Sequence, residues 1–66
     1  MTLTLNGDST DFPDEATISD VLKHFGREDA GVAVAVNFDV VPRHEFPQRV
    51  LHDGDRVDIV TAVGGG

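Results

Sequence analysis

Only one stretch of this 66-residue sequence has the spacing of a helix, and the apolar residues around it are spaced for strands. Ile18, Val21, Leu22 and Phe25 stand at i, i+3, i+4 and i+7, which puts them on one stripe of an α-helix. Thr17 precedes the stripe and Asp20 follows it by three residues, the arrangement of a capping box, while Gly26 supplies the left-handed end. A lone amphipathic helix cannot bury its own stripe, so it must lie on a sheet built by the rest of the chain.

The strands flank that helix. Leu3 and Leu5 alternate with Thr2 and Thr4, and Asn6-Gly7 is a strong two-residue hairpin signal, so a first strand runs to Leu5. A short returning strand is expected over Ser9–Phe12, ended by Pro13, which has no amide to give a ladder. Val32-Ala33-Val34-Ala35-Val36 reads as a strand whose valines share one face. Asn37-Phe38-Asp39 reads as a tight turn, Val40–Pro42 as a brief edge strand, and Arg43–Arg49 as irregular or a single helical turn. Asp53-Gly54-Asp55 turns the chain into a last strand over Arg56–Val63. There Val57, Ile59, Thr61 and Val63 face the core, and Arg56, Asp58, Val60 and Ala62 face outward. The order β-β-α-β-β-β predicts an α+β domain of the β-grasp, ubiquitin-like type over residues 1–63, one mixed sheet under one main helix, with 64–66 as a flexible tail.

Composition narrows the function. Twelve acidic against five basic residues give a net charge of −7, the wrong sign for neutralising a phosphate backbone, and no nucleic-acid partner is expected. The same charge reads as a solubility device or as steering toward a basic partner. Without cysteine there is no disulfide, no thiolate metal site and no thiol nucleophile. No apolar run approaches the roughly 20 residues of a membrane span, and the first residues lack the pattern of a secretory signal, so a soluble cytoplasmic protein is expected.

No catalytic constellation emerges. His24, His44 and His52 lack the spacing of a metal pair, Asp53-Gly54-Asp55 is too short for a calcium loop, and Ser9 and Ser19 lie in no nucleophile elbow. Neither a metal nor a bound cofactor is expected. Arg43 is either a partner contact or a surface arginine whose stem covers the end of the sheet. Val60 and Ala62 either form a small apolar docking patch or are covered by a loop.

Gly64-Gly65-Gly66 is the most distinctive feature left: either a frayed end or a deliberate arm. Three residues reach about 10 Å at 3.3–3.6 Å each. Having no Cβ atoms, such an arm can thread a narrow channel and present its carboxylate to another protein. Nothing in the chain binds phosphate in the manner of a P-loop, so any ATP-dependent activation of that carboxylate belongs to a partner.

Taken together, the Asn6-Gly7 hairpin, the capped helix from Thr17 to Gly26, VAVAVNFDVVPR from Val32 to Arg43, DGDRVDIVTAV from Asp53 to Val63 and the terminal glycines resemble the ThiS family, the sulfur carriers of thiamine biosynthesis. Phe46 stands where many relatives of that family have a tryptophan and keeps an aromatic anchor; Gly64 matches a variable position before the family's two final glycines. The resemblance implies that an E1-like enzyme, ThiF, uses ATP and Mg to adenylate the carboxylate of Gly66. Sulfur from a cysteine-desulfurase relay then replaces AMP to leave a thiocarboxylate, and thiazole synthase, ThiG, accepts the sulfur. The chain would be a carrier and cosubstrate, not an enzyme, presenting its tail through Gly64 and Gly65. Two other readings stand beside it: a ubiquitin-like carrier for molybdopterin or cysteine synthesis, and a non-covalent β-grasp interaction module whose tail is spare.

Overall fold

The computed structural model describes residues 1–26 and 31–61. The chain runs β1 (Thr2–Leu5), β2 (Asp8–Asp11), α1 (Ile18–His24), β3 (Val32–Val36), β4 (Asp39–Val41), a 3-10 turn (Arg43–Glu45) and β5 (Arg56–Thr61). The five strands form one mixed sheet in the order β2-β1-β5-β3-β4. Only β1 and β5 are parallel; the other pairs are antiparallel. This is the β-grasp arrangement expected, with the last strand in the middle of the sheet.

Two tight turns set the registers. Asn6 (φ 48°) and Gly7 (φ 91°) both adopt the left-handed conformation, which matches the twist of an antiparallel pair and puts Leu5 opposite Asp8. The returning strand therefore starts at Asp8 and ends at Asp11, one residue earlier at each end than the expected Ser9–Phe12. Phe12 still donates its N–H to the Met1 carbonyl at 2.8 Å, but its ring turns into the core. Asn37 (φ 51°) and Phe38 (φ 72°) repeat the device and set Val36 opposite Asp39. Asp39 thus belongs to β4, not to the turn, and β4 ends at Val41. The expected ends of β5 at Ala62 and Val63 lie outside the described residues.

The capping box forms as read. Asp20 N–H donates to Thr17 Oγ1 at 3.2 Å, and Thr17 N–H donates to Asp20 Oδ2 at 2.9 Å. The Ile18 and Ser19 amides, which no helix can satisfy from within, donate to the carbonyls of Arg49 and Phe46 at 3.1 and 3.2 Å. The long connection before β5 is thereby tied to the start of α1, and Leu51 N–H donates to the Ala16 carbonyl at 2.9 Å.

Ile18, Val21 and Leu22 of α1 pack on Leu3, Leu5, Val34, Val36 and Val57 of the sheet, with Phe46 and Leu51 of the connection joining the same core. Each fully buried side chain of this size contributes about 1.5–3 kcal/mol before entropy is counted. Phe25 departs from the expected stripe. The helix ends at His24, Phe25 becomes the C-cap, and 46% of its surface stays exposed. Its ring meets His24 edge-on at 5.1 Å, and His24 meets Phe12 likewise at 5.2 Å. Gly26 has the left-handed φ of 68° expected of a helix end.

Candidate functional site

The candidate attachment residue Gly66, its neighbours Gly64 and Gly65, and Ala62 all lie outside the described residues. What the structure shows is the strand that leads toward them. On one side β5 pairs with β3 from Val36 opposite Val57 to Val32 opposite Thr61; on the other it pairs with β1 only at Thr4 opposite Arg56 and Leu5 opposite Val57. Beyond Leu5 the backbone of β1 turns away into its hairpin, which withdraws the ladder from the following part of β5.

A side-chain amide stands at the end of each ladder on β5, Asn37 on the β3 side and Asn6 on the β1 side. At the start of β5, Asn37 N–H donates to the Arg56 carbonyl at 2.7 Å, and Arg56 N–H donates back to Asn37 Oδ1 at 3.0 Å. Asn37 Nδ2 also donates to Asp55 Oδ1 at 3.0 Å. Farther along, Asn6 N–H donates to the Val57 carbonyl at 3.0 Å as the last backbone link. Its side chain then takes over: Ile59 N–H donates to Asn6 Oδ1 at 2.7 Å, and Asn6 Nδ2 donates to the Ile59 carbonyl at 3.2 Å. A carboxamide has the donor and acceptor of a peptide group, so it serves as the next rung of the ladder. Sequence reading took both asparagines as turn formers only. Their second role joins positions 53 residues apart for Asn6 and Ile59 and 19 apart for Asn37 and Arg56, and nothing local signals it.

A groove of about 370 Å³ lies alongside this end of β5, lined by Leu5, Asn6, Asp8, Thr10, Phe25, Ile59 and Thr61. On the opposite face Val60 pairs with Ala33 and is 62% exposed, so no loop among the described residues covers it. Ala35 pairs with both Asp58, whose Oδ2 accepts from Arg56 Nε at 3.2 Å, and Val40, itself 78% exposed, so the outer face sets an ion pair beside its apolar side chains. Phe38 is exposed beside this face, with the Arg56 guanidinium 4.9 Å from its ring centre. Arg43 is exposed at the start of the 3-10 turn after β4.

The carboxylates near these features have structural work. Asp53 Oδ1 accepts the Thr2 N–H at 2.7 Å and ties the Asp53-Gly54-Asp55 turn to β1, while Asp55 Oδ2 accepts the His52 N–H at 2.8 Å and closes the turn locally. Among the described residues, no three His, Asp or Glu side chains group closely enough to hold a metal ion. No helix among them is long and apolar enough to cross a membrane.

A family model described as "ThiS family" matches residues 3–66. The sulfur carrier protein ThiS of Thermus thermophilus is 42% identical over 50 residues, covering 76% of this chain and 78% of its own. A thiazole synthase of Paramagnetospirillum magneticum is 35% identical over all 66 residues, but the chain spans only 20% of that protein's length. Among solved structures, the crystal structure of the thiamine biosynthesis protein ThiS from Geobacter metallireducens superposes with a TM-score of 0.84 at 29% identity, over the whole of both chains.

Proposed function

The chain belongs to the ThiS family, and from that premise we propose that it is a sulfur carrier for thiazole formation in thiamine biosynthesis, with the carboxyl group of Gly66 as its attachment point. The observation that carries this reading is the span of the family match, which runs through the β-grasp body and the glycines to residue 66.

A carboxylate is inert toward sulfur nucleophiles until an oxygen is made a leaving group. In the proposed reaction a carboxylate oxygen of Gly66 attacks the α-phosphorus of ATP, pyrophosphate departs, and the mixed anhydride forms. The outer sulfur of a persulfide delivered by a cysteine-desulfurase relay then attacks the acyl carbon and AMP leaves, giving an acyl disulfide. A second thiol attacks the relay's sulfur, the S–S bond breaks, and the chain leaves as a thiocarboxylate while the two thiols become a disulfide. An E1-like enzyme of the ThiF type provides the ATP and Mg site, and a thiazole synthase of the ThiG type accepts the sulfur. The relative that bears the name thiazole synthase and contains a stretch like this chain supports that pairing. The chain itself acts as cosubstrate in the cytoplasm and is not an enzyme. With no cysteine in the sequence, a persulfide on the carrier is excluded, and the terminal carboxyl is left as the covalent site.

Docking is assigned to Val60 on the outer sheet face, with Ala62, two residues on in the sequence, as a second apolar contact and Arg43 as a polar one. Exposure of Val60 and the small side chain of Ala33 beside it give a partner an open apolar surface.

The test is mass spectrometry of the C-terminal peptide after incubation with the activating enzyme, ATP, Mg, cysteine and a desulfurase. The expected result is a gain at Gly66 that corresponds to exchange of oxygen for sulfur and reacts with an alkylating agent. Reading the peptide avoids confusion with oxidation of Met1, which adds nearly the same mass. An unmodified Gly66, obtained while a known carrier is converted in parallel, overturns the proposal in favour of an interaction module. Transfer of the sulfur to thiazole synthase, but not to acceptors of molybdopterin or cysteine synthesis, identifies the pathway.

A further inference from the structure

We infer that Asn6 is a positioning residue for the proposed transfer, its carboxamide fixing the line along which β5 leads toward Gly66. The inference rests on the carrier reading and adds to it a residue far from the glycines in sequence.

In a parallel ladder the amide of Ile59 would donate to the carbonyl of the residue just before its register partner, and its carbonyl would accept from the amide of the residue just after it, as the Val57 carbonyl, in register with Leu5, accepts from Asn6. Neither backbone group is in place, because the chain reverses at Asn6-Gly7 to begin β2. Asn6 supplies both with one side chain, at 2.7 and 3.2 Å. The geometry depends on its left-handed backbone, φ 48°, a conformation that asparagine tolerates better than most residues. The turn that forms the hairpin and the amide that extends the ladder are therefore one residue.

Without the carboxamide, Ile59 keeps its neighbour Val34 on β3 but loses its partner on the other side. A strand held from one side bends and frays about its remaining ladder, so the point from which the chain sets out toward Gly66 is no longer fixed. The carboxyl of Gly66 must meet an enzyme's reacting groups within a fraction of an ångström to react well. Docking through the outer sheet face would be unaffected, so the loss should fall on the step after docking.

Asn6→Gly isolates this role, since glycine keeps the left-handed turn and removes only the side chain. The control is Asn37→Gly, which removes the equivalent brace where β5 begins. The expected result is a kcat for Gly66 conversion about tenfold lower for Asn6→Gly, with the carrier KM within about twofold of wild type, a size typical of lost positioning. Amide hydrogen exchange at Ile59 should accelerate at least about tenfold in the same variant, as a freed amide does, while Val57 stays protected. Asn37→Gly should leave kcat near wild type. Should Asn6→Gly not fold, Asn6→Asp serves instead, because it keeps an acceptor for the Ile59 amide but sets a carboxylate oxygen against the Ile59 carbonyl. Equal kcat losses in the Asn6 and Asn37 variants would mean general loosening and overturn the inference; so would an unchanged kcat in Asn6→Gly. A wild-type chain that is not converted under the same conditions overturns the carrier reading itself.

Discussion

Asparagine and aspartate side chains do in this chain what backbone does in larger domains. Asn6 and Asn37 extend ladders, Asp53 closes the start of β1, and Asp20 receives the Thr17 amide at the entry of α1. The Thr17 amide, and then the Thr17 hydroxyl, hold the Asp20 carboxyl below the usual aspartate value, helped more weakly by the charge of Lys23. In sign, a carboxyl whose folded pKa lies below its unfolded one adds stability above the unfolded value and loses it as pH falls through the folded value. Asp20→Asn is therefore expected to be less stable than wild type at neutral pH, and the gap should close in acid. Urea unfolding of both proteins at neutral pH and at about pH 2 checks this. A gap that stays constant across that range would show that the ionised carboxyl contributes nothing.

At the scale of an element, α1 is held by three side chains and not the four its spacing suggests. Leu22 is 2% exposed, whereas Phe25 is 46% exposed. Truncating Leu22 to alanine should cost about 2–5 kcal/mol, a large share of what a small domain has. Phe25→Ala should cost about 1 kcal/mol, because much of its ring already meets water. Denaturant midpoints rank the two, and a larger loss at Phe25 would mean that the helix packs by its C-terminal end. The same contrast shows what could be read from the sequence. Local chemistry was legible: the capping box at Thr17 and Asp20, the left-handed Asn6-Gly7 and Gly26, and the alternation of β3 and β5 all state their geometry within a few residues. Phe25 was not, because the exposure of a stripe's last member depends on where the helix stops, and Gly26 stops it one residue short. The bounds of β2 were shifted because Asp8-Ser9-Thr10-Asp11 has no apolar alternation; the turn alone fixes its register. Least legible were the pairing of β1 with β5 and the clasp of Asn6 on Ile59, which join the two ends of the chain and leave no local mark. For the candidate site, the outward face of Val60 was readable from alternation, but the brace behind it was not.

At the scale of the molecule, the topology separates holding from delivering. The last strand is the central one, flanked by β1 and β3 where it begins; toward its end β3 alone continues the ladder, with the Asn6 side chain on the other side. Beside it the open face carries Val60, and the whole surface bears a net charge of −7, which favours approach to a basic partner over long distances and weakens as salt rises. If docking belongs to the sheet and chemistry to Gly66, a chain lacking Gly65 and Gly66 should still bind the activating enzyme while being unable to react. It is expected to inhibit conversion of the full-length chain competitively, with an inhibition constant within about threefold of the full-length KM, since most binding energy in such contacts sits in a buried apolar centre. Raising ionic strength should weaken inhibitor and substrate in parallel, because both present the same charged body. Val60→Asp in the truncated chain should then abolish the inhibition without unfolding the protein, as the side chain already lies in solvent. A truncated chain that does not inhibit would place the binding energy in the glycines themselves, and the sheet face would have to be given up as the docking surface.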